Sequence, residues 1–171
     1  MEKSYKPAWP DSMAQPRQTN ENQTAARQSS AVRFSYKPLY SSLAEACQEW
    51  TSEALDTGEI VVKGLFVFAD DYSGFAGHFP GRPILPAVIQ LGIVRFLCER
   101  GLGICLEPQA YSRTKFRGVI TPDQKVQVEV MLEKEEKTGW HGKFFLEGED
   151  GIISSGQCGF INAAEKKNGH G

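Results

Sequence analysis

The residues best suited to chemistry in this 171-residue sequence stand in a proline-rich turn, residues 77–86, with His78 near its start. Pro80, Pro83 and Pro86 fix their own backbone φ angles and donate no N–H, so the turn cannot itself coil into a helix. A histidine titrates near neutral pH, which suits it to take up and return a proton. We therefore expect His78 to be an acid–base group; the alternative is a histidine that only caps the turn.

A helix is predicted to begin directly behind this turn and to hold it in place. Pro86 is well suited to the first helical position, where its missing N–H does no harm. Between residues 87 and 97 the only clearly polar side chains are Gln90 and Arg95, and a helix that is apolar on nearly every side is normally buried. It is too short to span a membrane. Its first turn leaves backbone N–H groups free close to His78.

The flanking sequence predicts the elements that surround this helix. Residues 41–58 have the pattern of one short amphipathic helix, from a serine N-cap to a stop at Gly58. Residues 59–68 are rich in β-branched and aromatic residues and predict a strand. The central helix is expected to end near Gly101 and Gly103. Alternating residues then predict strands at 111–118, 125–132, 141–147 and 152–161. One long buried helix with four or five antiparallel strands indicates an α+β domain whose sheet wraps the helix.

Composition and charge limit the class of protein. The formal net charge is −2, with 23% charged and 40% apolar residues, and no broad basic face points to nucleic acid. Polar residues 1–32 predict a flexible tail, residues 33–162 a single domain and residues 163–171 a second polar tail. The four cysteines lack zinc-ligand spacing, so we expect thiols in a reducing compartment rather than disulfides or metal. Because the N-terminus has no apolar secretory run, we expect a cytoplasmic protein.

The turn and the helix behind it resemble a known family. Residues 77–86, Gly-His-Phe-Pro-Gly-Arg-Pro-Ile-Leu-Pro, resemble the active-site signature of the β-hydroxyacyl-acyl-carrier-protein dehydratases, which have the hotdog fold. Residues 85–91 look closest to the branch associated with aryl-polyene and related lipid synthesis, and residues 115–123 resemble the strand and turn that follow the helix. The similarity extends over residues 59–161.

The resemblance implies an antiparallel sheet around one central helix, and a homodimer, higher hotdog oligomer or heterodimer with composite active sites. It implies an acyl substrate of fatty-acid or related lipid synthesis, carried on the phosphopantetheine of an acyl carrier protein or on coenzyme A, with no metal or other cofactor. His78 corresponds to the base that removes the α-proton of a β-hydroxyacyl thioester. The backbone N–H of Ala87, where the family usually has Gly, corresponds to the donor that polarises the thioester carbonyl.

Further residues are implied in binding by the same resemblance. The expected substrate-binding residues are Phe75, Gly77, Phe79, Pro86, Gly92 and Phe116. The three aromatic ones either line an acyl channel or belong to the core. Three basic side chains have two possible roles: they meet the carrier protein or its phosphate, or they are solvated surface charges. These residues are Arg82, Lys115 and Arg117.

The sequence departs from the family pattern at one position. The family carboxylate that protonates the departing hydroxyl lies fourteen residues after the histidine, where this chain has Gly92. A positioned general acid contributes about 10²- to 10⁴-fold, so the chain keeps the base and lacks the acid. Three explanations stay open: Glu99, Asp70 or Asp71 replaces the acid, a different hotdog chain supplies it, or the protein binds acyl thioesters without catalysis. We expect a hydro-lyase, with a non-catalytic or partner-dependent binding subunit as the alternative; a thioesterase is weaker because it too needs a helix carboxylate.

Overall fold

The fold combines one antiparallel sheet with one long helix. The computed structural model describes residues 37–76, 81–135 and 139–166, all within one compact unit that spans residues 32–171. The elements in chain order are α1 (Lys37–Ala46), β1 (Cys47–Ala54), β2 (Ile60–Val67), a short 3-10 turn (Ser73–Phe75), α2 (Ala87–Leu102), β3 (Leu106–Phe116), β4 (Lys125–Lys134), β5 (Gly139–Gly148), β6 (Gly151–Asn162) and α3 (Ala163–Lys166).

The six strands form a sheet in the order β1-β2-β4-β5-β6-β3, and every neighbouring pair is antiparallel. The chain leaves β2, passes through α2 and runs along the far edge as β3 before it returns to pair β4 with β2. The α+β hotdog architecture predicted from the sequence is thereby confirmed. It leaves β1 and β3 as the two edge strands, so each has one side that pairs with no strand of this sheet.

The helix α2 packs directly on the face of the sheet because both surfaces are apolar. Ile93, Val94 and Leu97 have no exposed surface, and burying each such side chain contributes about 1.5–3 kcal/mol. The helix α2 approaches β2 closely, and each of these two elements has a glycine at the contact. A Cβ at Gly64 would lie 2.9 Å from Leu97 Cδ1, and one at Gly101 would clash with Val62 of β2.

Both ends of α2 are near the predicted positions. Gly103 takes the left-handed conformation at the C-terminus, with φ of 67°, and donates its N–H to the Glu99 carbonyl. The prediction for Pro86 was one residue early: its ψ of 147° is extended, and Ala87 is the first helical residue. Pro86 is the N-cap residue of the helix. Its carbonyl accepts the N–H of Ile89 at 3.0 Å and that of Gln90 at 3.2 Å.

The prediction of one helix over residues 41–58 was wrong. The helix α1 ends at Ala46, and the following residues form β1, which pairs with β2 from Cys47↔Phe66 to Ala54↔Ile60. Seven of the eight β1 residues are exposed. Because this edge strand has no buried face, its sequence does not alternate between apolar and polar residues. Backbone pairing with β2 outweighed local propensity here.

Three of the later strands were predicted in the right places but too short, whereas β3 runs over Leu106–Phe116 and the predicted strand, 111–118, begins and ends too late. In β4, Val126, Val128, Val130 and Leu132 face α2 and are fully buried, which explains their clear alternation. The sheet has six strands where four or five were expected, because residues 47–54 form β1. Residues 163–166, within the predicted C-terminal tail, form α3, whereas the predicted N-terminal tail, residues 1–32, lies outside the described residues.

Candidate active site

The start of α2 is the part of the predicted site that the structure describes. Gly77, His78 and Phe79 lie outside the described residues, so their predicted roles stay predictions. The loop that leads into the helix is anchored to the opposite segment of chain: Leu85 donates its N–H to the Ile120 carbonyl at 2.9 Å, and its side chain is buried. This bond fixes where α2 begins.

The first turn of α2 has backbone donors without a cap. Pro86 provides no side-chain acceptor, and the N–H groups of Ala87 and Val88 form no hydrogen bond to any residue in the described ranges. Both residues are exposed. The N-terminus of a helix with free N–H groups stabilises negative charge on an oxygen atom. The Ala87 N–H is therefore available for its predicted role as a donor, and that role stays a prediction.

Large apolar side chains are exposed next to this helix start. Val88 is 70% exposed and Val119 is 44% exposed, and Val119 precedes Ile120, which holds Leu85. Phe116, at the end of the edge strand β3, is also 44% exposed. These three exposed apolar side chains are available to contact a ligand or another protein.

The other predicted binding residues fall into two groups. Phe75 is buried in the core, where its ring centroid lies 5.8 Å from that of Tyr72, whereas Phe116 faces outward. Of the two readings offered for the aromatic residues, the core therefore suits Phe75, whereas Phe116 is not in the core and its place in an acyl channel stays a prediction. The side chains of Arg82, Lys115 and Arg117 are exposed, and Arg117 Nη1 donates to Ser155 Oγ at 3.1 Å.

Gly92 lies on the side of α2 that faces α1. A Cβ at this position would be 3.6 Å from Leu39 Cδ2, which is an ordinary van der Waals contact. Packing at this atom therefore does not exclude a larger side chain. The chain thus lacks the family carboxylate at a position where the Cβ of an acidic side chain would have room.

Glu99 is held in place by the fold and is not free to replace the missing acid. It is 3% exposed, and its Oε1 accepts the Leu106 N–H at 2.8 Å and Arg95 Nε at 3.2 Å. Burial and a hydrogen bond to Glu99 raise the pKa of Tyr40 on α1. Glu99 thus joins α1, α2 and β3, about 10.5 Å along the helix from Gly92.

Glu99→Ala is expected to lower the free energy of unfolding by about 2–4 kcal/mol, because it leaves the buried Leu106 N–H without its acceptor and removes the ion pair between Glu99 and Arg95. Urea denaturation measures the change. Glu53 is exposed on β1, and Glu53→Ala is the matched control, with an expected change below about 0.5 kcal/mol. Equal stability of the two variants would show that Glu99 does not hold the three elements together.

The remaining acids and the thiols add no candidate centre. Asp70 and Asp71 are exposed in the turn after β2, as expected of turn residues. The four cysteines are free thiols, and burial raises the pKa of Cys98. Among the residues that the structure describes, there is no group of three metal-ligating side chains and no helix long and apolar enough to cross a membrane.

Comparison with known proteins assigns the family. The sequence model described as the ApeI-like ApeI dehydratase family matches residues 55–157. Because this match covers more than half of the chain, the chain belongs to the ApeI-like dehydratase family, which confirms the resemblance drawn from residues 77–86.

Individual relatives are more distant. The chain is 27% identical over 84 residues to the 3-hydroxyacyl-acyl-carrier-protein dehydratase FabZ of Legionella pneumophila, a match that covers 42% of this chain and 56% of that protein. It is 28% identical over 103 residues to FabZ of Lactobacillus helveticus, covering 54% of this chain and 68% of that protein. The match thus spans between about half and two thirds of these relatives.

A solved structure shows the same fold. The dehydratase heterocomplex ApeI:P from Xenorhabdus doucetiae superposes with a TM-score of 0.52 at 20% identity, over 68% of this chain and 96% of that chain. The sheet and central helix described above are therefore those of a hotdog protein.

Proposed function

We propose that this chain is a subunit of a β-hydroxyacyl thioester dehydratase, in which His78 removes the α-proton and the Ala87 N–H binds the thioester carbonyl oxygen. The observation that carries this proposal is the uncapped start of α2, directly behind residues 77–86, in a chain of the ApeI-like dehydratase family. As the α-proton moves to the imidazole, negative charge grows on the carbonyl oxygen. A fixed N–H donor stabilises that charge without having to reorganise.

Completion of the reaction needs a proton donor that α2 of this chain lacks. The double bond forms as the bond from the β-carbon to oxygen breaks, and the hydroxyl must take up a proton to leave as water. Gly92 has no side chain to give one, and Glu99 already accepts two hydrogen bonds elsewhere. The proton donor is therefore assigned to a second hotdog chain that carries the carboxylate, in a heterodimer.

The surface around the helix start supports assembly with another chain. β3 is an edge strand of the sheet, and Phe116 at its end is exposed. Pairing this edge would cover open backbone groups and apolar surface together. A structural relative, ApeI:P, is itself a dehydratase heterocomplex.

The substrate is an acyl chain of fatty-acid or related lipid synthesis, carried on the phosphopantetheine of an acyl carrier protein or on coenzyme A, in the cytoplasm. The relatives support an acyl carrier protein as the carrier, since the two FabZ proteins are named as dehydratases of 3-hydroxyacyl-acyl-carrier-protein thioesters. Arg82, Lys115 and Arg117 are exposed cations that would meet an acidic carrier or its phosphate. No metal or redox cofactor takes part in this proposal.

An enoyl-formation assay tests the proposal directly. The purified chain is incubated with β-hydroxyhexanoyl-pantetheine, alone and with a hotdog chain that carries a carboxylate at the position of Gly92, while enoyl absorbance is followed. We expect slow turnover alone and a gain of about 10²-fold or more in the mixture, because a positioned acid contributes that much.

The second candidate is a binding subunit without catalysis, which Gly92 favours because it removes a catalytic group. Its signature in the same experiment is a complex that binds the thioester and forms no enoyl product in either arm. That result would overturn the dehydratase proposal.

A further inference from the structure

Gln90 is a polar residue that the fold buries. It lies in the first turn of α2 and is 4% exposed. Its Oε1 has no hydrogen-bond partner among residues 37–76, 81–135 and 139–166. Burying an amide without a partner destabilises a folded protein, so an apolar residue here would serve the core better. A buried amide oxygen with no partner among the described residues points instead to a ligand.

The side chain of Gln90 is expected to lean toward the uncapped end of the helix. Helical side chains lean toward the N-terminus, and Gln90 is one turn, or about 4.5 Å, beyond Ala87 on the same side of the helix. The N–H groups of Ala87 and Val88 also lack partners within the described part of the chain. One acceptor and two donors therefore stand unpaired at the start of α2.

The unpaired atom indicates which part of a substrate it would bind. The unpaired atom Oε1 is an acceptor and needs a donor. In the reacting portion of a β-hydroxyacyl thioester, the hydroxyl is the only hydrogen-bond donor, because the thioester carbonyl only accepts. That carbonyl is already matched to the Ala87 N–H, and the hydroxyl lies two carbons away from it.

We infer that Gln90 binds the β-hydroxyl of the substrate and selects hydroxylated acyl thioesters over saturated ones. This inference rests on the proposed function. Gln90 Oε1 accepts a hydrogen bond from the β-hydroxyl group, whose proton stays on the hydroxyl oxygen. It supplies no proton to the leaving group, so Gln90 is a substrate-binding residue and does not replace the acid missing at Gly92.

Gln90→Met tests the inference, because methionine has a similar length and no hydrogen-bonding amide. Isothermal titration calorimetry compares β-hydroxyhexanoyl-pantetheine with hexanoyl-pantetheine on the full chain. We expect the hydroxylated ligand to bind about tenfold more weakly and the saturated ligand to change by less than about twofold, since only the former loses a hydrogen bond. Thermal unfolding should show equal or greater stability, because the buried unpaired acceptor is gone.

Gln127→Met is the matched control, since Gln127 is half-buried on β4 between Val126 and Val128, which face α2. It should alter neither affinity. A Gln90→Met variant that keeps its preference for the hydroxylated ligand, or weakens both ligands equally while losing stability, would overturn the inference. If the wild-type chain forms enoyl product but Gln90→Met gives either of these two results, the role of Gln90 is wrong and the proposed dehydratase function stands. If the wild type binds neither ligand, the proposed function fails with it.

Discussion

His78→Ala is expected to lower enoyl formation by about 10²- to 10⁴-fold, in the presence of whichever hotdog partner supports wild-type turnover. The imidazole is the only group assigned to take the α-proton, and alanine has nothing to accept it. The variant should still bind substrate, because the Ala87 N–H and the apolar surface around it are unchanged. Enoyl absorbance measures the rate, and thioester binding shows that the site is intact.

A second histidine provides the control. His141 is half exposed, with Nε2 3.3 Å from Glu133 Oε2 and Nδ1 3.3 Å from Glu135 Oε1, and it belongs to β5, away from the start of α2. His141→Ala should leave turnover unchanged. Full turnover in folded His78→Ala would remove His78 from the mechanism.

Gly92→Asp is expected to give the chain its own proton donor and to raise turnover of the chain alone by about 10²-fold. The first carbon of the new side chain has room, because a Cβ at this position would be 3.6 Å from Leu39 Cδ2, an ordinary contact. In a dimer of identical chains, each carboxylate would then serve the His78 of the other chain. Turnover is measured as enoyl formation without any added partner.

Gly92→Ala separates the effect of the carboxylate from that of the backbone. Alanine should raise the free energy of unfolding by up to about 1 kcal/mol, because glycine is unfavourable within a helix, and it should leave turnover as slow as in the wild type. If Gly92→Asp folds and assembles but is no faster than Gly92→Ala, the missing carboxylate is not what limits this chain.

The parts of the fold that were predictable are those in which local sequence and burial agree. The helix α2 is apolar on nearly every side because it packs between the face of the sheet and α1, and Gly103 stands where a left-handed residue ends it. β4 alternates because Val126 and Val128 point at α2 while their neighbours point away. Residues 47–54 gave no such signal, because this edge strand is held by backbone bonds to β2 and has almost no buried face.

The candidate site was predictable only in outline. Residues 77–86 pointed to a base next to the start of a helix, and Gly92 marked the missing acid, because both are matters of residue type and spacing. That Glu99 is held by Leu106 and Arg95 depends on contacts between elements. That Gln90 Oε1 is buried with no partner among the described residues depends on how α2 packs in the fold. In the sequence, Gln90 was only a polar residue in an apolar helix.

The central claim is that this chain carries the catalytic base, His78, and lacks the catalytic acid at Gly92. Hydrogen exchange at the α-carbon of β-hydroxyhexanoyl-pantetheine in heavy water, followed by mass spectrometry, tests it most directly. We predict that the wild-type chain alone incorporates deuterium faster than it forms enoyl product, because the α-proton can leave and return while the hydroxyl cannot depart. His78→Ala should exchange no faster than buffer. Wild-type exchange at the buffer rate, with the thioester demonstrably bound, would contradict the assignment of His78 and the start of α2 as a dehydratase site.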